Sequence, residues 1–107
     1  MMPKYLFQGS YTLEGVRGIL RDGGSKRRAA AQQALESVGG KVEAFYFTFG
    51  KNDVVAIVDA PDNVSVAAVS LAIAAAGGFN GHTTVLLTPE ETDEAVKKAV
   101  KYRAPGA

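Results

Sequence analysis

A chain of 107 residues is long enough for one domain whose hydrophobic core needs no disulfide or metal. Its 12 basic and 11 acidic residues nearly cancel, which excludes a general electrostatic attraction to nucleic acid or to an anionic membrane. The absence of cysteine excludes a disulfide framework, a thiolate nucleophile and a cysteine-ligated zinc site. We therefore expect one cytoplasmic domain over residues 1–107, with residues 103–107 as a frayed tail and no partnership with nucleic acid or membrane.

The first third of the chain predicts a strand followed by two helices. Residues 4–11 read as an aromatic-rich strand whose side chains alternate between two faces. Thr12 is a suitable cap for a short helix, which the glycine pair at 23–24 ends. Ser25 then predicts the cap of a second helix that runs to about Val38. The two faces of the strand carry Lys4, Leu6, Gln8 and Ser10 on one side, and Tyr5, Phe7, Gly9 and Tyr11 on the other.

Residues 41–60 carry the clearest local signal, two apolar strands over 41–49 and 53–60 joined by a turn around 50–52. In an isolated two-layer domain, one face of each strand would be polar and exposed to solvent. Here both faces are apolar, which indicates that both are covered, and another copy of the chain is the obvious cover. The first strand places Phe45, Phe47 and Phe49, which we expect in the core, on one face, and Val42, Ala44 and Tyr46 on the other.

A helix over about 63–76, capped by Asp62 or Asn63, and a strand over 79–88 follow the hairpin. The helix is apolar almost all round, which is typical of a helix that is buried on more than one side. Alanines also tolerate exposure, because they are good helix formers. The helix therefore favours a homo-oligomer without requiring one.

Thr88, Pro89 and Glu91 supply three start signals for a last helix, which we expect to reach about Tyr102. The predicted order is thus β-α-β-β-α-β with a C-terminal helix. This order predicts an α+β, ferredoxin-like fold, in which a four-stranded antiparallel sheet carries two helices on one face. Right-handed crossovers place the first and third strands at the centre of that sheet.

The most unusual local chemistry is the run GGSKRR at residues 23–28. Free amides at a helix start, a glycine pair and arginines can together hold a phosphate or a carboxylate, which makes Ser25, Arg27 and Arg28 candidate ligand-binding residues. The spacing is not that of a Walker phosphate-binding loop. The alternative is a solvated basic turn in which an arginine pairs with a neighbouring acid. If the run binds an anion, alanine at either arginine weakens that binding.

The candidate catalytic residues are His82, Tyr46 and Asp53. His82 is the single histidine, and it lacks the spacing of a metal motif, so we expect no metal site and no cofactor. It can serve as a base only if folding brings partners such as Tyr46 to it. The alternative hypothesis for Asp53 is that it stabilises the hairpin turn by bonding backbone amides.

Four segments resemble the GYD-domain proteins, a family of small single-domain bacterial and archaeal proteins, and the resemblance covers about residues 3–98. The segments are SYTLEGVRGIL, GGSKRRAA, VGGKVEAFYFTFGKNDVVAIVDAPDNVSVAA and TTVLLTPEE. The turn that names the family reads Gly50-Lys51-Asn52-Asp53 here, with Asn52 where tyrosine is usual. The resemblance implies a ferredoxin-like fold of the dimeric α/β-barrel group, in which two sheets pack face to face.

Relatives by fold include cofactor-free monooxygenases, haem-degrading enzymes and ligand-binding regulatory domains, and a fold alone does not select among them. Our first hypothesis is a homo-oligomeric protein that binds a small, anionic ligand in a pocket at a sheet face or a subunit interface. The alternatives are a cofactor-free enzyme of the monooxygenase or isomerase type and a structural or assembly module. Whether the protein is an enzyme stays open at this point.

Overall fold

The computed structural model describes residues 2–107, which form four strands and four helices. The predicted α+β, ferredoxin-like architecture is confirmed, with the segment between the first two strands divided into two helices at Gly23. The strands are β1 (Lys4–Tyr11), β2 (Lys41–Phe47), β3 (Val54–Asp59) and β4 (Phe79–Leu86). The helices are α1 (Leu13–Asp22), α2 (Gly24–Glu36), α3 (Asn63–Ala76) and α4 (Pro89–Val96).

The strands pair in one antiparallel sheet with the order β2-β3-β1-β4. The first and third strands are therefore central, as the right-handed crossover rule predicts. Lys4 of β1 pairs with Asp59 of β3 and with Leu86 of β4. At the other end of β1, Tyr11 pairs with Phe79. This register decides which side chains of the four strands share a face.

Helices α1, α2 and α3 pack on one face of the sheet, which we call the helix face. On that face the buried side chains of Tyr5 and Val58 pack against Leu35 of α2 and against Val66 and Val69 of α3. The alternate residues of each strand point to the opposite side, which we call the outer face. The predicted division of β1 between two faces is thereby confirmed.

Strand β2 departs from simple alternation at a bulge between Val42 and Ala44. A bulge inserts one extra residue and reverses the sides on which later residues lie. Val42 therefore lies on the helix face together with Phe45 and Phe47, although the alternation predicts it opposite them. The prediction that Phe47 and Phe49 lie in the core is wrong. Phe47, the last residue of β2, is 41% exposed, and the side chain of Phe49 is fully exposed beyond the end of the strand.

The start of α2 differs from the prediction. Ser25 is not its cap, because α2 begins at Gly24 and Gly23 holds the cap position without a side-chain hydrogen bond. Gly23 has a φ of 80°, a conformation that favours glycine, so the glycine pair itself makes the break between α1 and α2. The other three helix starts have the predicted side-chain caps, from Thr12, Asp62 and Thr88.

The last helix ends at Val96 and does not reach Tyr102, so this predicted boundary is wrong. A helix of this length is unstable on propensity alone and depends on packing, yet every residue from 89 to 107 is exposed. Smaller differences occur at α2 and β4, which end at Glu36 and Leu86, each two residues before the predicted end. None of the helices formed by residues 2–107 combines the length and apolar character that a membrane crossing requires.

Candidate functional site

The space between the helix face and the helices is incompletely filled. Three cavities lie there, and Ile73 and Phe79 line all of them. One of about 380 Å³ lies between α3 and β4, one of about 130 Å³ lies beneath α2, and one of about 290 Å³ lies beside α1. We call the three together the helix-side cavity. Its walls are largely apolar, which is usual for sites that bind small molecules.

Two polar side chains, Tyr11 from the end of β1 and Arg27 from α2, line both the part beneath α2 and the part beside α1. The ring of Tyr11 lies 5.0 Å from the ring of Phe79 and 6.4 Å from the ring of Phe47, measured between centroids. These aromatic neighbours fix the position of the Tyr11 hydroxyl, and Arg27 brings a positive charge close to it. The part beside α1 is also lined by Glu14, Arg21 and Asp22.

Burial raises the pKa of the Tyr11 phenol above its usual value, and the nearby Arg27 guanidinium acts in the opposite direction. Burial has this effect because it disfavours the charged phenolate. Since the ordinary pKa of tyrosine is already about 10, the hydroxyl is protonated at neutral pH. Tyr11 can therefore donate a hydrogen bond to an acceptor in the cavity, beside the five donors of Arg27.

Asp53 holds the hairpin loop against β1. Its carboxylate Oδ2 accepts a hydrogen bond of 3.0 Å from the backbone N–H of Tyr11. Its own N–H donates to the carbonyl oxygen of Gly9 at 2.8 Å. The sequence predicts that Asp53 bonds backbone amides within its turn, and it does bond an amide, but one in the neighbouring strand. Through that bond Asp53 positions Tyr11 in the helix-side cavity.

The structure places the members of the run at residues 23–28 at two different cavities. Arg27 lines the helix-side cavity, whereas Ser25 and Arg28 line a separate cleft of about 260 Å³ beside Phe45 and Phe47. Residues three apart on a helix share a face, which explains why Ser25 and Arg28 lie together and apart from Arg27.

The candidate catalytic residues are not brought together. His82 pairs with Gln8, which pairs with Val55, which pairs with Tyr46, so all four occupy one row across the outer face. Three strand spacings of about 4.8 Å put His82 and Tyr46 about 14 Å apart along that row. His82 is exposed, and it also borders the part of the cavity between α3 and β4. The carboxylate of Asp53 is engaged elsewhere, so these three residues form no proton-transfer set.

Asn52, which stands in the turn at the place of the family's tyrosine, takes part in the outer-face row. Its side-chain amide donates to Oε1 of Gln8 at 3.3 Å. This bond ties the hairpin loop to the outer face of β1, much as Asp53 ties it to the main chain of Tyr11. Within residues 2–107, no group of three or more histidine, aspartate or glutamate side chains is placed to hold a metal ion.

These features define a small α+β protein of ferredoxin-like topology that has a partly filled cavity between its sheet and its helices. The chain belongs to the GYD domain family, whose family model matches residues 5–96. The match spans the sheet except for Lys4, together with the helices that cover it and α4. No curated protein and no solved structure matches the chain.

Proposed function

We propose that this protein is a homo-oligomer that binds a small anionic molecule in the helix-side cavity. The observation that supports the proposal is the meeting of Arg27 and the protonated Tyr11 hydroxyl at the part of the cavity beneath α2, whose other lining residues are apolar. A guanidinium presents a planar fork of donors that matches a carboxylate or phosphate in two parallel hydrogen bonds. The apolar lining, which includes Phe7, Ile73 and Phe79, suits a ligand with an apolar body.

The size of the cavity limits the ligand. Small-molecule sites usually measure about 300–1,000 Å³, and the two parts that Arg27 and Tyr11 line, about 130 Å³ and about 290 Å³, are at or below the lower end of that range. A compact carboxylate with one ring or a short apolar chain fits this space better than a nucleotide or a large cofactor.

Replacement of Arg27 with glutamine is expected to weaken binding of benzoate, a compact aromatic carboxylate, by about tenfold or more. A charge-assisted hydrogen bond contributes about 1.5–3 kcal/mol, which corresponds to this change in affinity. The affinity is measured by calorimetric titration or by amide chemical shifts in NMR. Tyr11→Phe, which removes one hydrogen-bond donor and keeps the ring, should weaken benzoate binding by a smaller factor.

Arg28→Gln is the matched control, because it removes the same charge from the next residue, which lines the other cleft. It should leave benzoate binding unchanged, and neutral benzamide should bind equally to all variants. If Arg27→Gln and Arg28→Gln have equal effects, the cavity is not the binding site. If the wild-type protein binds neither benzoate nor other compact carboxylates, the ligand class is wrong.

The homo-oligomeric part of the proposal is supported by the outer face. Leu6 and Ile57 pair at its centre, Val55 lies beside them, and none of the helices α1, α2 and α3 covers this side. Tyr46 at the margin of the face is largely exposed. The face is polar around this centre, with the Lys4–Asp59 ion pair at one end and with Gln8 and His82 towards the other. Its apolar centre favours a partner, and a second copy of the same face forms an isologous contact.

Ile57→Lys is expected to convert a dimer at micromolar concentration into a monomer, because it places a charge at the centre of the buried contact. Gln32→Lys is the control, since it adds the same charge on the exposed side of α2. Sedimentation equilibrium measures both. A wild-type protein that stays monomeric at about 100 μM would contradict the homo-oligomer. If Ile57→Lys dimerises as well as the wild type, the outer face is not the contact between the two copies.

A further inference from the structure

We propose that residues 87–107 form an arm that packs antiparallel against the same arm of a second copy of the chain. The inference extends the homo-oligomer of the proposed function, but it requires neither the ligand nor the contact between outer faces. The first observation is exposure. Every residue from 89 to 107 is exposed, and the large apolar side chains of Leu87, Val96, Val100 and Tyr102 are all more than 60% accessible, at 63%, 77%, 78% and 75%.

The overall dimensions of the protein also indicate that the arm extends away from its body. A compact chain of this length has a radius of gyration of about 13 Å. The observed value is 16.9 Å, and the longest dimension is 57 Å, more than twice the roughly 26 Å that eight strand residues span. The arm leaves the body of the protein after Leu86 and adds length without adding to the core. A soluble domain rarely leaves such a segment with its apolar side chains in water unless a partner covers it.

The charge pattern of the arm selects the partner. Its first half carries acids and its second half carries bases, and the four acids balance the four bases. None of the ion pairs formed by residues 2–107 involves the arm. In two antiparallel helical copies centred between Ala95 and Val96, the acidic half of each arm lies beside the basic half of the other, and Asp93 of one copy flanks the contact together with Lys98 of the other. Glu90, Glu94, Lys97 and Lys101 lie on the opposite side of such a helix, so they contribute to the overall charge of each half and not to direct pairs.

The boundary of α4 gives a further reason for a second copy. The sequence predicts a helix to about Tyr102 with one apolar face, but α4 of the single chain ends at Val96. The residues beyond it, Ala99 and Val100, have nothing to pack against. Helical segments this short need tertiary packing. A partner arm supplies that packing, so assembly and extension of the helix occur together.

The area of the outer face alone is small for a stable dimer. Four strands about 4.8 Å apart and about 26 Å long present roughly 500 Å². A standard interface buries about 800 Å² on each partner. The arms, which follow the edge strand β4, offer further area to a dimer.

Charge reversal tests the arm-to-arm contact. One full-length variant carries Lys97→Glu, Lys98→Glu and Lys101→Glu, which leaves Arg103 as the single base of the arm. The other carries Glu90→Lys, Asp93→Lys and Glu94→Lys, which makes most of it basic and keeps Glu91 for the capping box. Each variant alone should self-associate at least about tenfold more weakly than the wild type, because like charges then face each other. A 1:1 mixture of the two should recover the association as a heterodimer, seen by sedimentation and by native mass spectrometry.

Circular dichroism supplies the second measurement. The helical signal of the wild type should rise with protein concentration, and that of Val96→Ser with Val100→Ser should not. Self-association that is unchanged in both charge-reversed variants overturns the proposal. So does a mixture that associates no better than its components. If Ile57→Lys dissociates the protein while the arm variants do not, the outer-face contact stands and the arm contact falls; the reverse result leaves the arm contact standing alone.

Discussion

Replacement of Tyr5 with alanine is expected to lower the free energy of unfolding by about 3–5 kcal/mol, the usual effect of deleting a buried aromatic side chain. Tyr5 is 1% exposed and packs among Leu35, Val58, Val66 and Val69, so it joins the central strand to both α2 and α3. Since a domain of this size is stable by only about 5–15 kcal/mol, the variant is expected to be largely unfolded at moderate urea concentrations. Urea denaturation followed by circular dichroism measures the change.

Tyr5→Phe is the matched control. It keeps the ring and removes only the hydroxyl, which donates a hydrogen bond of 2.7 Å to Oδ1 of Asn63. The expected loss is about 0.5–1.5 kcal/mol, and it should fall at the lower end because Asn63 is exposed and its oxygen can accept a bond from water. Equal losses for the two variants would mean that the hydroxyl, and not the packing of the ring, holds this part of the core.

The helix starts of this protein could be predicted from sequence because the interactions that form them are local. Thr12, Asp62 and Thr88 each accept a hydrogen bond from a backbone N–H three residues later, so residue type and spacing are sufficient. The alternation of β1 was predictable for the same reason, since period two belongs to the strand itself. The strand order then followed from the element order and the handedness of crossovers.

The errors occur where distant parts of the chain decide the outcome. The bulge in β2 depends on the register between β2 and β3, which no single segment encodes, and it moves Val42 to the helix face. The position of Phe49 depends on where β2 leaves the sheet. The end of α4 depends on packing that the single chain does not supply, so the apolar periodicity beyond Val96 predicted more helix than forms.

The candidate site was only partly predictable. Arg27 was identified from its basic run, but helical geometry separates it from Arg28, and the run alone does not tell which arginine lines the helix-side cavity. Tyr11 was not singled out at all. The available signal was its place as the last residue of β1 on the face of Tyr5 and Phe7, directly before a helix cap. Its partnership with Arg27 and Asp53 arises from the folded sheet.

A further large effect is expected at Gly9, towards the C-terminal end of β1. Gly9 lies directly opposite Gly81 of β4, and a Cβ atom at Gly9 would approach the Gly81 Cα to 2.6 Å and lie still closer to the carbonyl oxygen of Asn80. Both are backbone atoms of the paired strand, so the β1–β4 ladder itself must move to make room. Overpacking against main chain of this kind is expected to make Gly9→Ala about 3 kcal/mol less stable than the wild type in urea denaturation.

Gly81→Ala adds the same methyl group from the other strand, and the expected result differs because the atoms it meets differ. Its Cβ would lie 2.5 Å and 3.1 Å from two ring carbons of Phe79, and 3.4 Å from the carbonyl oxygen of Gln8. A ring can turn aside where a backbone cannot, so the loss of stability should be smaller, about 1 kcal/mol.

The displaced ring matters for binding, because Phe79 lines every part of the helix-side cavity and packs against Tyr11. Gly81→Ala should therefore weaken benzoate binding several-fold while the free energy of unfolding changes little. In Gly9→Ala the main effect should be the loss of stability. If Gly81→Ala binds benzoate as tightly as the wild type and Arg27→Gln does not, the ligand contacts Arg27 without entering the space beside Phe79. The substitutions at Gly9 and Gly81 thus test two requirements of the proposed site separately. One is that β1 and β4 stay paired, and the other is that the ring of Phe79 keeps its position.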